Sequence, residues 1–266
     1  MKTKIGIIIY LCILLTVGYF ASTGSNNDNL APNGMTGEEL LNRSSQAMTD
    51  KYQFKLNAEV SIMNDSSTEG MVGTIDELNR ELSLHSQAQE NASVYLDIYV
   101  VDNWIYTTMN GTDSNMSWIK TTLTDDLWKQ YAIPSQQLQL FKDPLGVEYV
   151  GTEVIADGEC YKLDVKPSLT TLSEIYGVGD SSNMSALEDT FKSYSMDIWI
   201  SQQTYLPVKI LTDVNISFPY YTLEISMGLI YEITFSNYNE PVNIELPAAA
   251  TNATEISYAD FIAGNY

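Results

Sequence analysis

Few residues of this chain could carry chemistry. The lone histidine, His85, follows Leu84 in an alternating stretch and falls on its polar side, so it reads as a solvated or paired imidazole rather than a general base. Cys160 stands beside Tyr161 with no histidine nearby in sequence to take its proton, which makes it an unreactive thiol rather than a nucleophile. Asp125 and Asp126 could meet a calcium ion. They also follow Thr124 as the acidic first turn of a helix, and capping accounts for them more simply. The sequence has no Cys/His metal cluster, phosphate-cradling glycine loop or G-x-S-x-G elbow. It therefore reads as a protein that is not an enzyme and uses neither cofactor nor metal.

What remains is apolar. From Tyr221 to Phe235 every odd position is apolar (Tyr221, Leu223, Ile225, Met227, Leu229, Tyr231, Ile233, Phe235), while the even positions are mostly Thr, Glu, Ser and Gly. Successive strand side chains point to opposite faces, so this period of two predicts a long strand with one dry face. The same alternation marks Tyr52, Phe54, Leu56, Ala58, Val60 and Ile62, and returns around Leu82, Ile98, Tyr161, Ile198 and Ile210. Burying the eight odd residues of Tyr221–Phe235 is worth about 12 to 24 kcal/mol, at about 1.5 to 3 kcal/mol per side chain, so something must cover that face. Aromatics and methionines adapt to irregular apolar guests. The expected ligand-binding residues are therefore Tyr52, Phe54, Leu56, Ile98, Met196, Ile198, Tyr221, Leu223, Ile225, Met227 and Tyr231. A filled core has the same period, and the pattern does not separate it from a cavity.

The elements that position these faces run in a clear order. Residues 1–21 carry Lys2 and Lys4 before the uncharged run Ile5–Phe20, which reads as an export signal or, if retained, an N-terminal anchor. Residues 22–35 are Gly-, Asn- and Pro-containing and read as a flexible tether. Thr36 with Glu39 forms a capping-box pattern ahead of an amphipathic helix. Strands then run to about Lys120, helices are expected from Thr124 and from Pro134, and 167–191 reads as helical or irregular cover. Further strands lead to Pro247, and 248–266 is a weakly patterned tail. The fold class is α+β, mainly antiparallel β, with about ten or eleven strands. One domain is expected over 36–247.

Past the signal, Cys160 is the only cysteine, so no internal disulfide can form. A net charge of −21 repels nucleic acid and anionic membranes electrostatically, which removes nucleic acid from the expected partners. Eight N-x-S/T sequons (Asn42, Asn64, Asn91, Asn110, Asn115, Asn183, Asn215 and Asn252) suit a secreted glycoprotein. Glycosylation is expected at Asn64, Asn91, Asn110, Asn115 and Asn183, although polar turns also produce sequons by accident.

The stretch SMDIWISQQTYLPVKI carries a D-x-W-[IV]…T-x-L-P-V-K hairpin in Asp197, Trp199, Ile200, Thr204, Leu206, Pro207, Val208 and Lys209. Together with the order of helix, Tyr-led strand and meander, it resembles the lipoprotein-carrier superfamily. That group includes LolA-type carriers, LppX/LprG-like lipid carriers and RseB-like sensor domains, and the resemblance spans about Thr36 to Pro247. It implies an open, strongly curved half-barrel sheet around lid helices, with acyl chains between sheet and helices. The lipidation cysteine of the LppX/LprG-like members has no counterpart here, and no gating residue is carried over. Two functions remain open at this point. One is a non-catalytic cell-envelope carrier or binding protein for a lipid or an acylated protein. The other is a surface-exposed interaction or sensor module with a solid core, which a retained N-terminal segment would hold at the cell-envelope membrane.

Overall fold

The computed structural model describes residues 29–63, 65–86, 95–110, 118–156, 158–176, 190–220, 223–241 and 243–263. Its first element is α1 (Gly37–Ala47), which begins as the sequence requires. Glu39 N–H donates to Thr36 Oγ1 at 3.2 Å, and Thr36 N–H donates to Glu39 Oε2 at 2.9 Å, so two N–H groups that no helical turn could satisfy are paired.

Among the described residues, twelve strands form one sheet. They are β1 (Lys51–Ile62), β2 (Asp65–Asp76), β3 (Glu81–Ser86), β4 (Tyr95–Val101), β5 (Trp104–Asn110), β6 (Trp118–Thr122), β7 (Gly146–Ile155), β8 (Gly158–Lys166), β9 (Phe191–Ser201), β10 (Pro207–Tyr220), β11 (Leu223–Ser236) and β12 (Thr254–Glu255). Their order is β12-β6-β5-β4-β3-β2-β1-β11-β10-β9-β8-β7, with β12 and β7 as terminal strands, so the sheet is open. The ladders from β2 to β6 and from β7 to β11 are antiparallel, and β12 runs parallel to β6. The class is α+β and mainly antiparallel, as expected.

Among the described residues, four more helices lie among and after the strands: α2 (Asp125–Tyr131), α3 (Ile133–Gln139), α4 (Leu169–Tyr176) and α5 (Tyr258–Ala263). α2 starts where its acidic turn predicts, with Leu127 N–H donating to Thr124 Oγ1 at 3.2 Å. Residues after Pro247, patternless in sequence, hold a 3-10 turn at Ala248–Asn252, then β12 and α5. Ala250 and Phe261 are buried there. At the other end Ala31, in the expected tether, is buried too, and its N–H donates to Met35 O at 2.9 Å.

The chain divides into two compact units. Unit 1 takes the described residues of Met1–Met48, Ala58–Thr68 and Pro134–Thr234; unit 2 takes Thr49–Asn57, Glu69–Ile133 and those of Phe235–Tyr266. In unit 2 the apolar face is built in cross-strand rows. Ile75, Leu82, Val100 and Ile105 pair in turn across β2 to β5, and Gly73, Leu84, Ile98, Thr107 and Ile119 form the next row. Phe54 lies over Gly73: a Cβ there would collide with the Phe54 ring and stand 2.7 Å from Ser83 O, so only glycine leaves the ring its place. Tyr52 is fully buried, edge-on to Phe235 at 5.6 Å, and its hydroxyl meets Glu77 Oε1 at 3.0 Å.

Candidate functional site

Unit 1 presents its apolar face in the register of β8 to β11. Leu163, Ile198, Ile210 and Ile233 pair in turn as one row. The next row is Met196, Thr212 and Tyr231, then comes Tyr194, Val214 and Leu229, and β10 and β11 continue with Ile216 and Met227. Of these, Met196, Ile198, Ile210, Val214, Ile216, Met227, Leu229, Tyr231 and Ile233 are all buried. Thr212 is the exception in chemistry, a hydroxyl at 1 % exposure between aliphatic neighbours.

Helical cover satisfies that hydroxyl. Thr212 Oγ1 donates to Gln137 Oε1 on α3 at 2.9 Å, and Gln137 Nε2 donates to the Tyr176 hydroxyl on α4 at 3.4 Å. Gln137 is itself 1 % exposed, so the relay is dry. Burial raises the Tyr176 phenol well above its ordinary value, and the Tyr231 phenol reinforces the shift. Tyr231, beside Thr212 on β11, is pushed up to about 12 by burial. Both phenols therefore stay neutral and available as donors at any physiological pH. Two short helices are thus tied through a single glutamine to the middle of an otherwise aliphatic face. Sequence reasoning missed this relay; its one visible sign is Thr212 breaking the alternation of Ile210, Val214 and Ile216.

The expected lining residues fall into both units. In unit 1, Met196, Ile198, Met227 and Tyr231 lie within the rows above, and Ile225 is half-buried further along β11. Leu223 opens β11 opposite Tyr220, and Tyr221 lies outside the described residues. In unit 2, Tyr52, Phe54, Leu56 and Ile98 are all at 4 % exposure or less. Of the expected glycosylation positions, Asn110 ends β5, while Asn64, Asn91, Asn115 and Asn183 lie outside the described residues.

The opposite face of unit 1 explains the hairpin motif. Trp199 pairs with Lys162 and Lys209 on its two neighbouring strands. Their ammonium groups stand 4.8 and 5.1 Å from its ring centroid. Trp199 Nε1 donates to Glu153 Oε2 at 2.8 Å, Lys162 is 3.1 Å from Asp197, and Lys209 is 2.6 Å from Glu232. Cation–π contact and ion pairing thus clamp β8, β9, β10 and β11 from the outside.

The residues considered for catalysis are occupied with structure. His85 Nδ1 lies 2.9 Å from Asp97 Oδ1 and its ring meets Tyr99 edge-on at 5.3 Å. Among the described residues no hydroxyl or thiol hydrogen-bonds to it. Cys160 is free and buried, and burial pushes its thiol up, away from the thiolate. Among the described residues there is no His/Cys/Asp/Glu cluster that could hold a metal ion, and no helix is long and apolar enough to cross a membrane.

No protein-family model matches the chain, and no curated protein does. Among solved structures, LprF from Mycobacterium bovis is similar over 82% of this chain and 99% of its own, at 12% identity and a TM-score of 0.49. The Mycobacterium tuberculosis lipoprotein LppX is similar over 78% of this chain and 97% of its own, at 14% identity and a TM-score of 0.41. The Pseudomonas aeruginosa MucA/MucB complex matches over 80% of this chain and 62% of the matched chain, at 15% identity and a TM-score of 0.35.

Proposed function

We propose that the protein is a non-catalytic, extracytoplasmic binding protein that takes an acyl chain, of a lipid or an acylated protein, against the apolar face of β8–β11 beneath α3 and α4. The observation that carries this reading is the Thr212–Gln137–Tyr176 relay. A core meant only to be filled gains little from a buried hydroxyl and amide, because each hydrogen bond contributes only about 0.5 to 1.5 kcal/mol net. Helices of seven and eight residues are too short to hold themselves, so α3 and α4 depend on the sheet for their place. Weak, directional attachment over a long aliphatic face suits a cover that can yield to an apolar guest. Met196, Met227 and Tyr231 supply the adaptable lining. Export through the Lys2–Phe20 segment would place the protein outside the cytoplasm.

The packing of unit 2 favours a narrower ligand surface than the eleven expected residues. Phe54 is fitted onto Gly73, and Tyr52 is held by Phe235 and Glu77. Tyr52, Phe54, Leu56 and Ile98 therefore serve as core, and the acyl site belongs to unit 1. The interaction-module reading would extend the same solid packing to both units.

Native mass spectrometry of the full chain purified from its own envelope tests the proposal, with organic extraction as the second step. A lipid or acylated species bound at near one-to-one ratio is the expected result. A clean apo mass that stays unchanged after incubation with lipids would make the β8–β11 face an ordinary core.

A further inference from the structure

One end of the same face carries a cation. α1 starts hard against β7, where a Cβ on Gly37 would stand 2.9 Å from Val147 O and 3.0 Å from Tyr149 N, so glycine alone lets the helix lie there. With Leu40, Leu41 and Ser44 buried, Arg43 stands on the exposed side of α1 and its guanidinium lies 4.0 Å from the centroid of the Tyr205 ring. Tyr205 is held in the β9–β10 turn at φ 61°, its N–H donating to Ser201 O at 2.9 Å. A non-glycine residue in that left-handed conformation is uncommon, and here it presents the ring to Arg43. Tyr205 stacks on Tyr161 at 6.4 Å, Tyr161 meets Tyr149 edge-on at 6.3 Å, and the Tyr149 hydroxyl bonds the Thr152 hydroxyl at 3.0 Å. Tyr161 pairs with Ile200, two residues from the Leu163–Ile198 pair, so this aromatic ladder ends the aliphatic rows of the β8–β11 face.

Among the described residues, Arg43 combines ring stacking with the absence of an ion pair. Lys51, Arg80, Lys120, Lys162, Lys192 and Lys209 each have a carboxylate within 4 Å. For Arg43, Lys55, Lys142 and Lys166, among the described residues, none lies within that distance, and of these four Arg43 is the one that stands over an aromatic ring. A guanidinium stacked on a ring keeps its edge N–H donors free, and their fork matches the two oxygens of a phosphate or carboxylate.

We propose that Arg43 is the head-group contact of the acyl site, so that the ligand of unit 1 is an anionic amphiphile, its tail on the β8–β11 rows and its phosphate or carboxylate on the guanidinium at the Tyr205 end. This rests on the acyl-binding reading above and specifies its ligand. The chain's net charge of −21 repels anions at long range, so a preference for them requires a local cation.

The test measures binding of three probes to the full chain by calorimetry: dioctanoyl phosphatidic acid, dodecanoate and dioctanoylglycerol. The expected result is that one or both anionic probes bind at least tenfold tighter than the neutral one, and the tighter of the two names the head group. Arg43→Gln should remove that preference and leave the neutral probe unchanged, Arg43→Lys should retain part of it, and the exposed Lys142→Gln should keep all of it. Equal affinity for all three probes, or a preference that survives in Arg43→Gln, overturns this inference while leaving the acyl site standing. No binding of any probe overturns both.

Discussion

At the level of single residues, Gln137 has more partners than its sequence context suggests. It accepts from Thr212 and donates to Tyr176 in a dry interior, so removing it strands two hydroxyl groups. Gln137→Leu is expected to destabilise the protein by about 1 to 3 kcal/mol per stranded group, read from the urea midpoint. Adding Thr212→Val and Tyr176→Phe should recover most of that loss, since apolar groups of similar shape need no partner. A triple variant as unstable as the single would remove the relay from the account of how α3 and α4 are held. Residues of this kind were hidden in the sequence because Gln137 sits in a run of glutamines and Thr212 is one polar letter in an apolar alternation. The motif residues were the reverse: Asp197, Trp199 and Lys209 stood out at once, yet they clamp the face away from the apolar rows.

Whole elements were legible where they are long. The fifteen-residue alternation marked β11, and the Thr36 and Thr124 caps marked the starts of α1 and α2, because a period repeated many times or a cap with its own geometry is local information. β12 was not legible, being two residues that pair with Ile119 and Lys120 of β6, too few to show any period. The helix beyond β12 still matters: Phe261 on α5 is 5 % exposed, and Phe261→Ala should cost about 3 to 5 kcal/mol if this tail is part of the fold rather than an appendage. A thermal midpoint equal to that of the unaltered protein would count against it. The start of β1 and the end of β2 are joined by Lys51 and Asp76, 2.5 Å apart, with Asp76 at 2 % exposure. Burial alone would raise the Asp76 carboxyl, but its bonds to Lys51 and Asn79 outweigh that and hold it below the ordinary 3.8. A depressed carboxyl contributes stability that is present above its unfolded pKa and lost as pH falls through its folded pKa. Asp76→Asn is therefore expected to lower the urea midpoint at pH 7, with the gap from the unaltered protein closing below pH 3.8; a gap independent of pH would contradict the pairing.

For the molecule as a whole, the proposal of an acyl site has to distinguish two similar faces. Alternation is the same in both units, so periodicity could not distinguish them, and the difference lies in contacts between residues far apart in sequence. Phe54 meets Gly73 and Tyr52 meets Phe235 and Glu77, while Thr212 reaches Gln137 and Tyr161 reaches Tyr205. Filling one face or trimming the other should then have opposite consequences. Met196→Trp or Met227→Trp adds bulk where the acyl chain would lie, so the fraction of lipid-loaded protein in native mass spectra should fall. Forcing a larger side chain among these buried neighbours should cost about 1 to 3 kcal/mol in stability. Phe54→Leu trims a side chain fitted onto Gly73, so it should lower stability while leaving the loaded fraction unchanged. If loading falls equally in the unit 1 and unit 2 variants, the ligand surface extends to both; if Met196→Trp and Met227→Trp leave loading at its original level, the acyl site is not on β8–β11.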